Sequence, residues 1–316
     1  MRDLTNEMPK PMLRVQGKPI LEHILQSVLA AGIREIFIVT GFRAEVVENY
    51  FGDGSKWEAQ ISYGRQIVQD GTGKAPELAK QFAGTSPFLL TYGDILVKPE
   101  TYQQMLQRFE GGNFSGVITV TPGQDVTKGG LNFFDEQFCL KRLVEKPSAE
   151  QLDQLRREGW IMPNEPVWYN AGIYIFKSSL FDFTERLQKS PRGEYELTDA
   201  IIAMLAAGHK IAGLEVPGRW VDVRDPEVLA QLEAEQPQPS RPRVYADFNN
   251  ADRHGRLRLN CAGTTDDLQR QRLDLVEGMQ LTLYMEDIEC AGTVTFSKEE
   301  NLWVAVIDWN AVDGLE

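Results

Sequence analysis

The stretch Ile20-Leu21-Glu22-His23-Ile24-Leu25-Gln26-Ser27-Val28-Leu29-Ala30-Ala31-Gly32, followed two residues later by Glu35-Ile36-Phe37-Ile38-Val39-Thr40, decides how this chain folds. Ile20, Leu21, Ile24, Leu25, Val28 and Leu29 recur at spacings of three and four, which puts one apolar stripe on a helix that Gly32 closes. The next run is short, continuous and rich in β-branched residues, as a buried strand is. Working outward, the pattern predicts a second helix over Ala44 to Phe51, another over Pro76 to Phe82, and a second apolar strand Phe88-Leu89-Leu90-Thr91-Tyr92. Apolar runs alternating with amphipathic helices predict βαβ units and an α/β fold with a mostly parallel, mixed sheet.

After Thr121 the rhythm changes. Strand-like segments at Ser115 to Thr121, Leu131 to Phe134, Leu140 to Val144 and Trp168 to Phe176 have little helix between them, which predicts an antiparallel lobe at one edge of the sheet. Helices return at Ser179 to Leu187 and Leu197 to Ala207. Gln236-Pro237-Gln238-Pro239-Ser240-Arg241-Pro242 reads as a semi-rigid connector, so the expected domains are 1–236 and 243–316. Beyond it, Val244 to Phe248, Arg256 to Asn260, Met279 to Tyr284, Gly292 to Phe296 and Leu302 to Ile307 alternate apolar with polar residues, which predicts a small all-β barrel or sandwich.

With 316 residues, 42% of them hydrophobic, the chain is long enough for a large domain and a small one. A net charge of −13 argues against a nucleic-acid partner, because phosphate backbones require a basic face. Any phosphate must therefore be gripped locally. Cys139, Cys261 and Cys290 lack metal-ligand spacing and read as reduced thiols. No apolar run approaches the roughly 20 residues that span a bilayer, and no signal-peptide layout opens the chain, so a cytoplasmic protein without membrane contact is expected. A homo-oligomer is compatible with the sequence.

Several residues carry chemistry when taken together. Lys10 sits between Pro9 and Pro11, a stiff setting that suits an ammonium facing a phosphoryl group, though alone it also suits a solvated turn. Asp94 follows Gly93 at the carboxyl end of an apolar strand, the edge where open α/β sheets bind ligands. It could hold Mg²⁺ or cap the following helix, and Asp222, in Trp220-Val221-Asp222-Val223, is the second carboxylate that favours the metal. Gln66 precedes Gly71-Thr72-Gly73, where a side-chain amide can read a base edge and glycines let backbone amides approach it. Glu145-Lys146-Pro147 pairs a carboxylate for sugar hydroxyls with an ammonium for an anomeric phosphate, although as an isolated pair it reads rather as a solvated strand end. In the C-terminal part, Arg253, His254, Arg256 and Arg258 form a basic cluster that could meet a phosphorylated ligand or an acidic partner surface but reads rather as a solvated β-hairpin face. His23 and His209 carry no partner signal and read as structural.

In order, Arg2-x-Leu4-Thr5, Pro9-Lys10-Pro11-Met12, Gly17-Lys18-Pro19-Ile20, Gln66 to Gly73, Gly93-Asp94, Gly130, Glu145-Lys146-Pro147, Asn170-Ala171-Gly172-Ile173-Tyr174, Glu196-Leu197-Thr198-Asp199 and Trp220-x-Asp222 resemble the sugar-phosphate nucleotidyltransferase family, the group of glucose-1-phosphate thymidylyltransferases and mannose-1-phosphate guanylyltransferases. The resemblance covers roughly Met1 to Glu235. It implies a doubly wound, Rossmann-like fold of the nucleotide-diphospho-sugar transferase type and the reaction of an NTP with a sugar 1-phosphate to give NDP-sugar and pyrophosphate. Carried over, it implies Lys10 on the triphosphate, Gln66, Gly71 and Thr72 at the base, and Asp94 and Asp222 on Mg²⁺. Lys146 would then take the sugar phosphate, while Glu145, Gly130, Asn170 and Gly172 line the sugar pocket. There is no hexapeptide repeat of the left-handed β-helix that some members carry C-terminally.

Two departures from the family pattern stand out. The G-x-G-T-R loop and the strand before it are not in this chain, and Arg224 stands where many members have glycine. The first predicts a sheet whose remaining strands expose apolar edges. The leading expectation is a nucleotidyltransferase whose start lies upstream of Met1; the alternative is a non-catalytic sugar-nucleotide sensor or regulatory subunit.

Overall fold

The computed structural model describes residues 8–163, 165–223, 226–234, 241–271, 273–286 and 288–309. Arg2, Leu4 and Thr5 of the opening motif, Arg224, and 236–240 of the proline-rich connector lie outside them. The chain divides into two compact units, Met1–Ala234 and Glu235–Glu316.

In the first unit, helix α1 (Ile20–Ala30) leads into β1 (Glu35–Thr40), and α2 (Ala44–Phe51) returns the chain to β2 (Gln60–Arg65), parallel to β1 from Glu35↔Gln60 to Thr40↔Arg65. This βαβ unit is held by Leu25 of α1 and Val47 and Phe51 of α2, packed with Ile61, Ile36 and Ile38. The chain continues through β3 (Phe88–Thr91), β4 (Ile95–Leu96), α3 (Pro99–Glu110), β5 (Gly116–Thr121), β6 (Gly130–Phe134), β7 (Leu140–Glu145) and α4 (Ala149–Arg157). It then runs through β8 (Trp168–Phe176), α5 (Leu197–Ala206), β9 (Ile211–Glu215) and β10 (Val221–Asp222). Six of these strands form one mixed sheet in the order β9-β5-β8-β6-β7, with β3 also bonded to β8.

Alternation along the strands shows why both faces are covered. Val117, Ile173 and Ile175 pack with Ile20, Ile24, Tyr102 and Met105 on one side. Their neighbours Ile118, Tyr174 and Phe176 pack with Leu197, Ile201 and Met204 on the other. Successive residues of one strand thus enter separate helical layers, which is the doubly wound arrangement.

Of the strands expected in an antiparallel edge lobe, β6 and β7 do close one edge of the sheet, but β5 and β8 run through its middle. One side of β8 pairs with β5 along its length, while its other side pairs first with β6, at Trp168 and Tyr169, and then with β3, at Ile173 to Phe176. The β5 register shifts between Asn170 and Tyr174, so the ladder opens at Asn170–Gly172 where β6 has left and β3 has not yet begun. Continuous burial, from Tyr169 to Phe176, explains why this run carries apolar residues toward both faces rather than alternating, with Asn170 the polar exception.

Among the described residues β1 is bonded only to β2, and β3 only to β8. Each has an open edge, and Ile36 to Val39 and Phe88 to Thr91 are only half-buried despite their apolar composition.

The second unit is an open five-stranded sheet with a helix, not the barrel or sandwich that alternation suggested. Its strands are β11 (Arg243–Tyr245), β12 (Leu257–Arg258), β13 (Gln280–Met285), β14 (Ile288–Ser297) and β15 (Leu302–Ile307), in the order β11-β13-β14-β15-β12. Helix α6 (Ala262–Gln271) packs beside β11, where Gly263 lets the Tyr245 ring approach. Period-two reading missed α6 because Leu268 is its only large aliphatic residue; its buried anchor is Asp267, which accepts from the Tyr245 amide at 2.8 Å and the Tyr284 hydroxyl at 2.9 Å. The basic cluster is neutralised inside this unit. Arg256 bonds Asp252, Arg258 forks onto Glu300 at 2.6 and 2.8 Å, and Arg253 pairs with Glu299. No described helix is long and apolar enough to cross a membrane.

Candidate functional site

The first cluster forms where β3 ends. Tyr92, Gly93 and Asp94 follow the strand, and the Tyr92 amide donates to the Gly172 carbonyl at 3.3 Å. A Cβ on Gly93 would lie 3.1 Å from Pro11 Cγ, so the missing side chain is what lets the Pro9–Pro11 turn settle on this strand end. That turn is closed by the Met12 amide on Pro9 O at 2.8 Å and anchored by the buried Met12 side chain. Lys10 is thereby aimed at Asp94, and its ammonium donates to Asp94 Oδ2 at 2.5 Å with both side chains about three-quarters buried, 28% and 27% exposed.

Asp222 arrives from the other end of the unit. β10 pairs antiparallel with β4, Asp222 lying opposite Ile95, and the Val223 amide donates to the Asp94 carbonyl at 2.9 Å. Trp220 fixes the approach by donating Nε1–H to Ala171 O at 2.8 Å. Asp94, the residue before β4, and Asp222 on β10 are therefore brought side by side along the backbone although 128 positions separate them. No group of three or more His, Cys, Asp or Glu side chains placed to hold a metal occurs among the described residues. Two carboxylates with a lysine beside them are instead the oxygen-poor set that Mg²⁺ accepts when phosphates and water complete its shell.

The second cluster fills the opening in the ladder. Gly130 pairs with Glu145 across β6 and β7, and a Cβ on Gly130 would lie 3.1 Å from Asn170 Cβ and 3.4 Å from Glu145 Oε2. Asn170 Oδ1 accepts from the Gly172 amide at 3.1 Å and the Tyr174 hydroxyl at 2.9 Å, which fixes the amide and leaves Nδ2 on the Gly130 side. Gly172 has φ +78°, a left-handed conformation, and a side chain there would strike the Tyr92 ring. Lys146 takes φ 42°, uncommon for a lysine, with its amide bonded to Gly129 O at 3.0 Å and its side chain exposed. Burial pushes the Glu145 carboxyl above the ordinary carboxylate range, against the opposing pull of the Lys146 charge.

Sequence reasoning missed Arg192, whose guanidinium bonds Glu196 at 2.6 Å and stands 3.6 Å from Glu145. Its only signal is the turn Ser190-Pro191-Arg192-Gly193, closed by the Gly193 amide on Ser190 O at 2.8 Å. It also missed a buried polar atom without a hydrogen bond, Asn132 Oδ1, two residues along β6 from Gly130, whereas Thr198 of the Glu196–Asp199 motif lies at the start of α5, close enough to Glu145 to pull its carboxyl down. Burial also raises the Asp199 carboxyl, with the Glu196 charge adding to it.

The third cluster is the loop after β2. The Gln66 amide extends the strand pairing onto Thr40 O at 2.7 Å, and Gln66 Nε2 donates to Gly71 O at 3.1 Å, which curls the loop back on itself. Thr72 Oγ1 accepts from the Leu197 amide at 3.3 Å. Burial raises the Tyr92 phenol, an effect eased by the neighbouring hydroxyls of Thr72 and Tyr174, so this loop reaches the same tyrosine that seats Gly172. A cavity of about 340 Å³ opens at the carboxyl ends of β1 and β2, lined by Gly41, Phe42, Arg43, Arg65, Gln66 and Ile67. Ile67 is 85% exposed and Val68 65% beside it.

Residues 1–238 match the family model described as nucleotidyl transferase. The chain is 33% identical over 239 residues to the low-salt glycan biosynthesis nucleotidyltransferase Agl11 of Haloferax volcanii, covering 75% of this chain and 62% of that protein. It is 31% identical over 226 residues to the bifunctional protein GlmU of Methanococcus maripaludis, covering 72% of this chain and 49% of that one. The chain thus spans about half to three-fifths of the length of these curated relatives. Its fold is similar to the crystal structure of a UDP-glucose pyrophosphorylase complexed with UDP-glucose, with a TM-score of 0.62 at 22% identity over 73% of this chain and 91% of that one.

Proposed function

Because the chain belongs to the nucleotidyl transferase family, we propose that its fold serves the transfer of a nucleotidyl group to a sugar 1-phosphate, giving an NDP-sugar and pyrophosphate. The observation that carries this reading is the meeting of Lys10, Asp94 and the Asp222 strand at one end of β3, within the unit that also places Glu145, Lys146 and Asn170 around Gly130.

The chemistry asks for little acid–base work. An anionic oxygen of the sugar phosphate attacks the α-phosphorus in line, the bond to the β-phosphate oxygen breaks, and pyrophosphate leaves with that electron pair. No proton has to move. What must be supplied is alignment of two anions that repel each other and neutralisation of the charge that develops on the leaving group. Lys10 offers a cation held by a proline-flanked turn, and Lys146 and Arg192 offer two more beside Glu145. Glu145 and Asn170 Nδ2 give an acceptor and a donor for sugar hydroxyls, and Gly130 keeps the space between them open. Gln66 and the Gly71-Thr72-Gly73 turn serve the base.

Asp94 and Asp222 would hold Mg²⁺, which when bound neutralises phosphate charge and polarises the phosphoryl oxygens. Where Lys10 now bonds Asp94, a bound cation and the triphosphate would share these charges between them.

The test is direct. Nucleoside triphosphates are screened against sugar 1-phosphates for pyrophosphate release. Release that needs both substrates together supports the reading; NDP-sugar binding without any release, under every pairing, overturns it.

A further inference from the structure

The segment Glu194-Tyr195-Glu196 runs between the loop assigned to the base and the cluster assigned to the sugar, and Tyr195 is its half-buried centre. Its backbone works like a strand threaded through the loop. The Tyr195 amide donates to Asp70 O at 2.7 Å, and Tyr195 O accepts from the Gly73 amide at 2.7 Å. The fit is so close that a Cβ on Gly71, at φ +118°, would overlap Tyr195 O. Two residues on, the Leu197 amide bonds Thr72 Oγ1 at 3.3 Å.

The Tyr195 ring is held by one lysine of that loop and one of its own segment. Lys74 Nζ lies 5.4 Å and Lys189 Nζ 5.3 Å from the ring centroid. Each ammonium is also tied elsewhere. Lys189 pairs with Asp70 at 3.3 Å, while Lys74 donates to Thr184 O at 2.7 Å and to Glu77 at 2.8 Å. The ring is therefore the shared contact of two cations, one fixed to the loop and one to the helix Leu180–Thr184. Loop residues Asp70 to Lys74 make these contacts to a segment more than a hundred positions away.

We infer that Tyr195 is a positioning residue for nucleotide binding: through its ring and the two lysines it clamps the Gln66–Gly73 loop in the conformation that receives the nucleobase. This rests on the reaction proposed above for the function of the loop, but not for the clamp itself. The base acts on the loop, the loop is set by Tyr195, and the ring never needs to touch substrate.

The experiment compares wild type with Tyr195→Leu, Tyr195→Phe and Lys189→Met. Amide hydrogen exchange is read at Tyr195 and Gly73, and KM and kcat are read for each substrate. Tyr195→Leu should speed exchange at those two amides about tenfold and raise the NTP KM about tenfold, the size expected when two weak cation–π contacts are lost. Its kcat and its KM for the sugar 1-phosphate should stay within about twofold of wild type. Tyr195→Phe, which keeps the ring, should behave as wild type, and Lys189→Met, at the exposed rim, should shift exchange in the same direction by a smaller factor. Unchanged exchange in Tyr195→Leu, a Phe variant as impaired as the Leu variant, or a loss in kcat instead of the NTP KM would each overturn the clamp. Should Tyr195→Leu not fold, Lys189→Met and Tyr195→Phe decide by the same readings. A wild-type protein that releases no pyrophosphate would end the proposed function alone, since the exchange comparison judges the clamp without turnover.

Discussion

The Lys10 ammonium donates to Asp94 Oδ2 at 2.5 Å, across 84 positions of sequence. Two prolines, a buried methionine and the absent side chain of Gly93 all serve to bring that pair together. As a stabilising contact it is modest, because partly solvated ion pairs are worth about 1 kcal/mol or less. A pair so carefully aimed and so weakly stabilising is built for something other than folding.

Lys10→Gln therefore separates the two roles. Pyrophosphate release should fall by roughly 10²- to 10³-fold, the usual loss when one oriented charge-stabilising group is removed. Urea denaturation should place the variant within about 1 kcal/mol of wild type. A variant that unfolds readily while its remaining folded fraction turns over normally would make the pair structural.

Gly130 and Gly172 face the same opening but should fail differently. Gly172→Ala must adopt φ +78° and place its Cβ 2.8 Å from the Tyr92 ring, so it should cost about 1–3 kcal/mol in denaturation experiments. Gly130→Ala meets side-chain atoms at ordinary or slightly tight range, Asn170 Cβ at 3.1 Å, Asn170 Nδ2 at 3.3 Å and Glu145 Oε2 at 3.4 Å, with no left-handed backbone. It should fold, with a sugar 1-phosphate KM raised about tenfold or more and an unchanged NTP KM.

Burial keeps the Glu145 carboxyl above its ordinary value of 4.5, so it takes up a proton at a higher pH than a solvated glutamate. If it accepts from sugar hydroxyls as a carboxylate, kcat/KM for the sugar 1-phosphate should fall as pH drops through that raised pKa. In Glu145→Gln the rate should be low throughout and this acid limb should vanish. An acid limb that survives the substitution belongs to another group.

In the second unit, burial alone would raise Asp252, but the Arg256 amide and guanidinium and the His254 amide outweigh it and hold the carboxyl at about 2. A pKa depressed on folding contributes stability above the unfolded value of 3.8 that is lost as pH falls toward 2. Asp252→Asn should lower the stability of this unit at neutral pH and flatten its pH dependence between those limits, read by tryptophan fluorescence of Trp303 and Trp309. A variant whose acid transition is as steep as wild type would show that the slope comes from other carboxylates.

Much of the fold was legible in the chain because burial leaves a simple imprint. Trp168–Phe176 and Leu302–Ile307 read correctly to the residue, one a run buried from Tyr169 onward and the other a continuous apolar one. Elements with a thinner apolar face were missed: β2 buries only Ile61, and α3, whose polar residues outnumber its apolar ones, rests on Thr101, Tyr102 and Met105. Helix α4 buries Leu155 alone, though its capping box, Ser148 with Gln151, was there to be read. The central place of β8 was not legible, since strand order is set by pairings between distant segments. At the site, residues in short motifs could be named in advance, whereas Arg192 and Tyr195 could not. Their importance comes from what the loop 188–196 folds against, and that is a tertiary fact.

Asp94 and Asp222 give the sharpest test, because it is the pairing of β4 with β10, extended by the Val223 amide on Asp94 O, that brings their backbones together. Pyrophosphate release is measured for Asp94→Ala, Asp222→Ala and the double variant. Acting at one centre, the two substitutions should each cost about 10²-fold or more, and the double variant should be no more than a few-fold worse than the poorer single one. Losses that multiply, or a rate untouched by either change, would contradict the account.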